Sequence, residues 1–171
     1  MKRIYLVLSI IIVFPFLFLS GCNNFDEDKA VEDTKKQLDS LFETYEDMEV
    51  IIKTNEKKEL KNIVNEKFNS YFTERYLEKA NNEIDKMEMD ISSNKLDDPI
   101  VFFLQDSSWE ENFIIKFNKY RISDEKRFVP DSNEKVVRTK LVGTGHPTHM
   151  FIEVTLKKEG ETMKIDHAEK R

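Results

Sequence analysis

The stretch Met150-Phe151-Ile152-Glu153-Val154-Thr155-Leu156-Lys157-Lys158-Glu159-Gly160-Glu161-Thr162-Met163-Lys164-Ile165 decides the fold class. Successive side chains of an extended chain point to opposite faces, so Met150, Ile152, Val154 and Leu156 share one side while Phe151, Glu153 and Thr155 share the other. Lys158-Glu159-Gly160-Glu161 reads as a tight turn, after which Met163, Ile165 and His167 make the returning strand. Upstream the alternation recurs: Val136, Arg138, Lys140 and Val142 face one way, and Val137, Thr139 and Leu141 the other. The intervening Gly143-Thr144-Gly145-His146-Pro147-Thr148-His149 reads as the hairpin connection, because two glycines and Pro147 oppose a helix. In an extended chain His146 and His149 point apart, so a zinc site there would need further ligands such as His167 from another strand. Nor is it a phosphate-binding glycine loop, which requires a lysine and a strand-to-helix context.

Farther upstream, Phe113 to Phe117 is a short apolar run extended through Tyr120 and Ile122, and Ile100 to Leu104 is another. Asp98-Pro99 closes the polar stretch Ser92-Ser93-Asn94-Lys95, since the residue before proline is steered away from helix. Ahead of that point the periodicity is helical. Thr73 is placed to cap a helix carrying Glu74, Tyr76, Leu77, Ala80, Ile84 and Met87. Leu60, Ile63, Val64, Phe68 and Tyr71 mark a second helix, preceded by a break at Thr54-Asn55. Val31, Leu38, Tyr45 and Ile52, with Leu41, Phe42 and Met48 between them, mark a first helix with a near-heptad stripe; at this length it is expected to lie on its own domain rather than on a partner helix. Helices followed by an antiparallel meander predict an α+β domain, two or three helices against one sheet.

Residues 1–21 have a different character. Met1-Lys2-Arg3 is followed by an apolar run from Ile4 to Leu19, interrupted by Ser9 and Pro15, and then by Ser20, Gly21 and Cys22. A positive start, an apolar middle and small residues at the cut are the parts of a secretory signal. The middle, roughly sixteen residues, is short of the ~20 that span a bilayer comfortably. Leu19-Ser20-Gly21-Cys22 resembles the lipobox of bacterial lipoproteins. That resemblance implies cleavage between Gly21 and Cys22 and acylation of Cys22, where two chains suffice for stable anchoring. It divides the chain into a signal peptide at 1–21, a tether at 22–29 and a single α+β domain at 30–171. It also implies a location on the extracytoplasmic face of a bacterial membrane, and Asn23 implies the periplasmic side of the outer membrane where the cell has one.

Composition narrows the function classes. Cys22 is the only cysteine, so once it is acylated neither disulfides nor cysteine-ligated metals remain available. The chain's 27 Lys+Arg and 33 Asp+Glu give −6; removal of Lys2 and Arg3 moves this to −8, a balance unsuited to nucleic acid. Asp97, Asp98, Asp106, Glu110 and Glu111 crowd near one strand, but the alternating pattern of a calcium loop is missing, and Asp98 and Asp106 read as caps of a solvated loop. Trp109 beside it reads as a core residue. No cofactor or metal is implied, and the domain is read as a monomer.

The closing hairpin, Leu156 to Gly160 and then Met163-Lys164-Ile165-Asp166, together with the helices-then-sheet order, resembles nuclear-transport-factor-like domains. There, helices pack on a strongly curved, cone-like antiparallel sheet. Phe72-Thr73-Glu74-Arg75-Tyr76-Leu77, Asp98-Pro99-Ile100, Gln105-Asp106 and Trp109 resemble a family of small envelope lipoproteins of unknown function within that superfamily, over about residues 55–170. The resemblance implies a non-enzymatic binding or accessory domain with an envelope protein as a possible partner. Two alternatives stand beside it. An immunity or inhibitor lipoprotein would use its acidic surface to capture a basic toxin or cell-wall hydrolase. A cone-fold enzyme would use a pocket acid or base, for which Tyr71, Tyr120, Asp166 and His167 are the candidates.

Overall fold

A computed structural model describes residues 25–45, 49–53, 57–86, 104–109, 112–117, 120–123, 128–143 and 151–170. Its elements are α1 (Glu27–Tyr45), β1 (Glu49–Lys53), α2 (Lys57–Phe68), α3 (Glu74–Lys86), β2 (Leu104–Trp109), β3 (Asn112–Phe117), β4 (Tyr120–Ile122), β5 (Val129–Asp131), β6 (Val136–Gly143), β7 (Phe151–Glu159) and β8 (Thr162–Lys170). The α+β class is as expected. The strands form a five-stranded antiparallel sheet in the order β4-β6-β7-β8, with β5 also on β6, and a three-stranded sheet in the order β1-β3-β2.

α1 begins inside the segment read as tether. Asp26 starts it: its side-chain oxygen accepts from the Lys29 amide at 3.0 Å and its carbonyl from the Ala30 amide at 2.9 Å. Asp26 thus takes up amides that a helix start leaves without intrahelical partners, while Glu27 and Asp28 suit the positive end of the helix dipole. Ala30, Thr34, Leu38, Leu41 and Tyr45 form its buried stripe, and that stripe packs on the molecule's own sheet. The helical pattern does not run on to Ile52. Val50, Ile51 and Ile52 lie in β1, opposite Ile115, Ile114 and Phe113 of β3, because a β-branched run gains more from pleated pairing than from a helix. Met48 and Thr54-Asn55 lie outside the described residues.

α2 and α3 form a helical pair joined by residues 69–73. Leu60, Val64 and Phe68 of α2 and Tyr76, Ala80 and Ile84 of α3 are buried, and Asn65 and Asn81 exchange amide hydrogen bonds at 3.3 and 2.8 Å. Thr73 caps α3 as its position predicts, accepting from the Tyr76 amide at 3.2 Å. Tyr71, read as the end of the second helix, instead sits in the turn beyond it. Phe68 stacks on Phe72 at 4.7 Å between ring centroids, and Phe72 meets Tyr76 edge-on at 4.8 Å.

The inner face of the large sheet follows the alternation read from the sequence. Val137, Thr139 and Leu141 of β6, Ile152, Val154 and Leu156 of β7, and Met163 and Ile165 of β8 are buried. The pattern breaks at the ends of β6, where Val136 and Val142 of the other face are buried too, and in β8. Leu156 pairs with Ile165 but Thr155 pairs with His167, so Asp166 is the extra residue of a β-bulge. The bulge turns His167 outward and brings Ala168, 3% exposed, into the core. Here residues 71–73 run beside β8: the Ile165 amide donates to the Tyr71 carbonyl at 2.8 Å, and the Thr73 amide to the Ile165 carbonyl at 2.9 Å. A connecting segment thereby covers part of an edge strand whose backbone groups would otherwise face water.

β2 starts at Leu104, where the expected strand ended, and carries Asp106 opposite Ile115; Asp106 is therefore a strand residue rather than a loop cap. Antiparallel pairing with β3 extends the strand through residues whose composition alone suggests a loop. Residues 100–103, Asp97, Asp98, Glu110, Glu111, His146, His149, Met87, Met150, Gly21 and Cys22 lie outside the described residues, as does the side chain of Trp109. Among the described residues no helix is long and apolar enough to cross a membrane.

Candidate functional site

The outward face of β6, β7 and β8 forms an open groove of about 540 Å³. Its floor is built by register: Arg138 stands beside Thr155, and Thr155 beside His167, while Glu153 stands beside Glu169. Arg75 from α3 and Glu134 from the β5–β6 turn close its sides. The face is polar because these positions alternate with core positions along the same strands.

Asp166 is the most constrained charge in the groove. Its Oδ1 accepts from the Thr73 hydroxyl at 2.8 Å and from Arg75 Nε at 3.1 Å, and its Oδ2 pairs with the Arg75 guanidinium. Arg75 also donates to the Asp166 carbonyl at 3.1 Å, so the bulge is held through both its side chain and its backbone. Partial burial pushes the Asp166 carboxyl up. The hydrogen bonds from Arg75 and Thr73, with the charges of Arg75 and Lys157, outweigh that and hold it below the usual carboxylate range. Such a group is ionised at neutral pH and has both oxygens engaged, which suits a clamp better than a proton donor.

A second node lies across the groove. Asp131 accepts from the amides of Asn133 and Glu134 at 3.0 and 3.1 Å and from Arg138 at 3.3 Å. The Glu134 amide and the Arg138 guanidinium lower its pKa. Arg138 also pairs with Glu134.

The four residues named as acid–base candidates do not converge. Asp166 and His167 line the groove, and His167 Nε2 stands 3.8 Å from Glu169. Tyr71 lies under α1, its hydroxyl 3.1 Å from Ser40 Oγ and 3.2 Å from Thr44 Oγ1. Tyr120 is buried beside Phe42, their centroids 6.4 Å apart. Tyr45, a phenol absent from that list, is pushed up by burial and then by Tyr71. Among the described residues no group of three or more His, Cys, Asp or Glu side chains is arranged to hold a metal ion.

The alternation at Arg138, Lys140, Glu153 and Thr155 was the available signal for the groove. Arg75 is separated from Asp166 by 91 positions and carries no mark of that pairing in the sequence. Comparison with protein-family models, with curated proteins and with solved structures returned no match for this chain.

Proposed function

We propose that this chain is a bacterial lipoprotein, fastened to the extracytoplasmic face of a membrane by acyl chains on Cys22, whose body is a non-enzymatic recognition domain. The observation that carries this reading is the order Leu19-Ser20-Gly21-Cys22 followed by a helix start at Glu27, five residues after the cysteine. An apolar leader, a lone cysteine and an immediate folded body are what an anchored module requires. The finer assignments, a signal peptide at 1–21 and a cone-like curvature of the nuclear-transport-factor type, belong to this proposal. So does recognition through the groove on the outward sheet face. That groove is open and mixed in sign, and its best-held acid is ionised, which favours contact with a protein surface over acid–base chemistry.

The test is Cys22→Ser. The variant is expected to leave the membrane fraction for the soluble fraction while its folded body keeps the wild-type circular dichroism spectrum. Persistence in the membrane after signal removal would sink the lipid anchor.

A further inference from the structure

We infer that one end of this domain, formed by the first turn of α1, the β5–β6 turn and the β7–β8 turn, is the end that faces the bilayer; the inference rests on the lipid-anchored reading above. The three segments meet in space. Ser132 donates to the Glu27 carboxylate, and a cavity of about 250 Å³ is lined by Phe25, Asp26 and Lys29 on one side and Lys158 and Glu161 on the other. Cys22 precedes Phe25 by three residues, and three residues span at most about 10 Å. A lipid on Cys22 therefore holds this end, and no other, next to the headgroups.

The opposite end follows from the same geometry. α1 runs along the sheet until Phe42 meets Tyr120, and β8 leaves the β7–β8 turn to end at Lys170 beside Ile152. Nineteen residues of helix at about 1.5 Å each separate the two ends by roughly 28 Å. The strands run between the near and far ends and the groove opens on the side between them, so its partner is met along the membrane rather than from above.

Charge refines the picture. Residues 26–29 carry three acids and one lysine, residues 131–135 two acids and one lysine, and residues 158–161 two acids and one lysine. Arg138 pairs with Asp131 and Glu134, and Lys164 with Glu159, which leaves the excess of acid on the first turn of α1. With a tether of at most about 10 Å against a screening length of about 8 Å at physiological salt, anionic headgroups repel this turn while the lipid keeps it attached.

The experiment uses full-length lipidated protein in vesicles, labelled with a fluorophore at single introduced cysteines. Asn133→Cys and Glu161→Cys probe the near end, Glu43→Cys and Lys170→Cys the far end, all at exposed positions. Quenchers on phosphatidylcholine headgroups should quench the near pair roughly tenfold more than the far pair, given the ~28 Å offset. Replacing a third of the lipid with phosphatidylglycerol should reduce quenching of the near pair. Equal quenching at both ends, stronger quenching at the far end, or none at either would overturn the orientation. A rise with phosphatidylglycerol would overturn the electrostatic stand-off. Mass spectrometry of the Cys22 peptide separates the two levels: an unmodified sulfur overturns anchor and orientation together, whereas an acylated one with far-end quenching overturns the orientation alone.

Discussion

The two faces of the five-stranded sheet are built from the same three strands, yet they obey different rules. Inward, Val137, Leu141, Ile152, Val154, Leu156 and Ile165 are buried, and removing any of them leaves a void that close-packed neighbours fill only in part. Outward, Arg138, Thr155 and Glu169 are half-buried and Lys157 and His167 exposed, and a charge pair open to water gains little over its hydrated parts. Stability therefore resides on one face and freedom to change on the other. Asp166 is where the faces meet: it lines the outer groove, yet its bulge sets which residues of β8 point inward.

The largest expected effect lies on the inner side. Phe72, 0% exposed and packed between Phe68 and Tyr76, should cost about 3–5 kcal/mol as Phe72→Ala. Urea denaturation should show the midpoint collapsing; a loss under 1 kcal/mol would mean that the aromatic cluster is not part of the core.

Next comes Asp166→Asn, expected to cost about 1–3 kcal/mol by weakening charge-assisted bonds to Thr73 and Arg75. Its pH dependence is set by the sign of the shift. Because the folded-state carboxyl is held below its unfolded value, the stabilisation is present above about pH 4 and is lost as pH falls through the folded pKa. The gap between wild type and Asp166→Asn should be constant from pH 5 to 7 and close below about pH 4. A gap that widens in acid would contradict the clamp.

A smaller change runs the other way. Among the described residues, Thr34 and Thr139 bury hydroxyls that have no hydrogen-bond partner. Thr139→Val keeps the shape in a strand that favours branched residues and removes the unpaired oxygen, so it should stabilise by about 1 kcal/mol. Thermal unfolding at a higher midpoint checks this, and a lower midpoint would show that the hydroxyl has a role on the inner face. Smallest of all is Lys157→Ser on the outer face, exposed and expected to stay within about 0.5 kcal/mol of wild type. A larger loss would erase the contrast between the faces.

Much of this arrangement can be read from residue order. Alternation in β6 and β7 separates the two faces, and Thr73 announces the start of α3 because a hydroxyl before an apolar helical pattern meets unpaired amides. Where local pattern and long-range pairing disagree, the pattern misleads. Val50-Ile51-Ile52 continues the spacing of α1 but pairs with β3, and Gln105-Asp106-Ser107-Ser108 resembles a loop but pairs with the other edge of β3. The outward turn of His167 depends on one extra residue, Asp166, whose partners come from the start of α3, far away in the chain. Of the groove, the strand positions were visible and the clamp that shapes it was not.

The clasp of residues 71–73 by Ile165 has a consequence for biogenesis. A polypeptide emerges from the ribosome amino terminus first, and contacts between distant segments form late because loop closure must precede them. The helical pair α2–α3 can coil on emergence, but its seat on the sheet is made by β8, a strand that follows about a hundred residues later. A premature stop before Thr162 would therefore yield a product with most of its helices and none of this docking edge, a ready substrate for proteases.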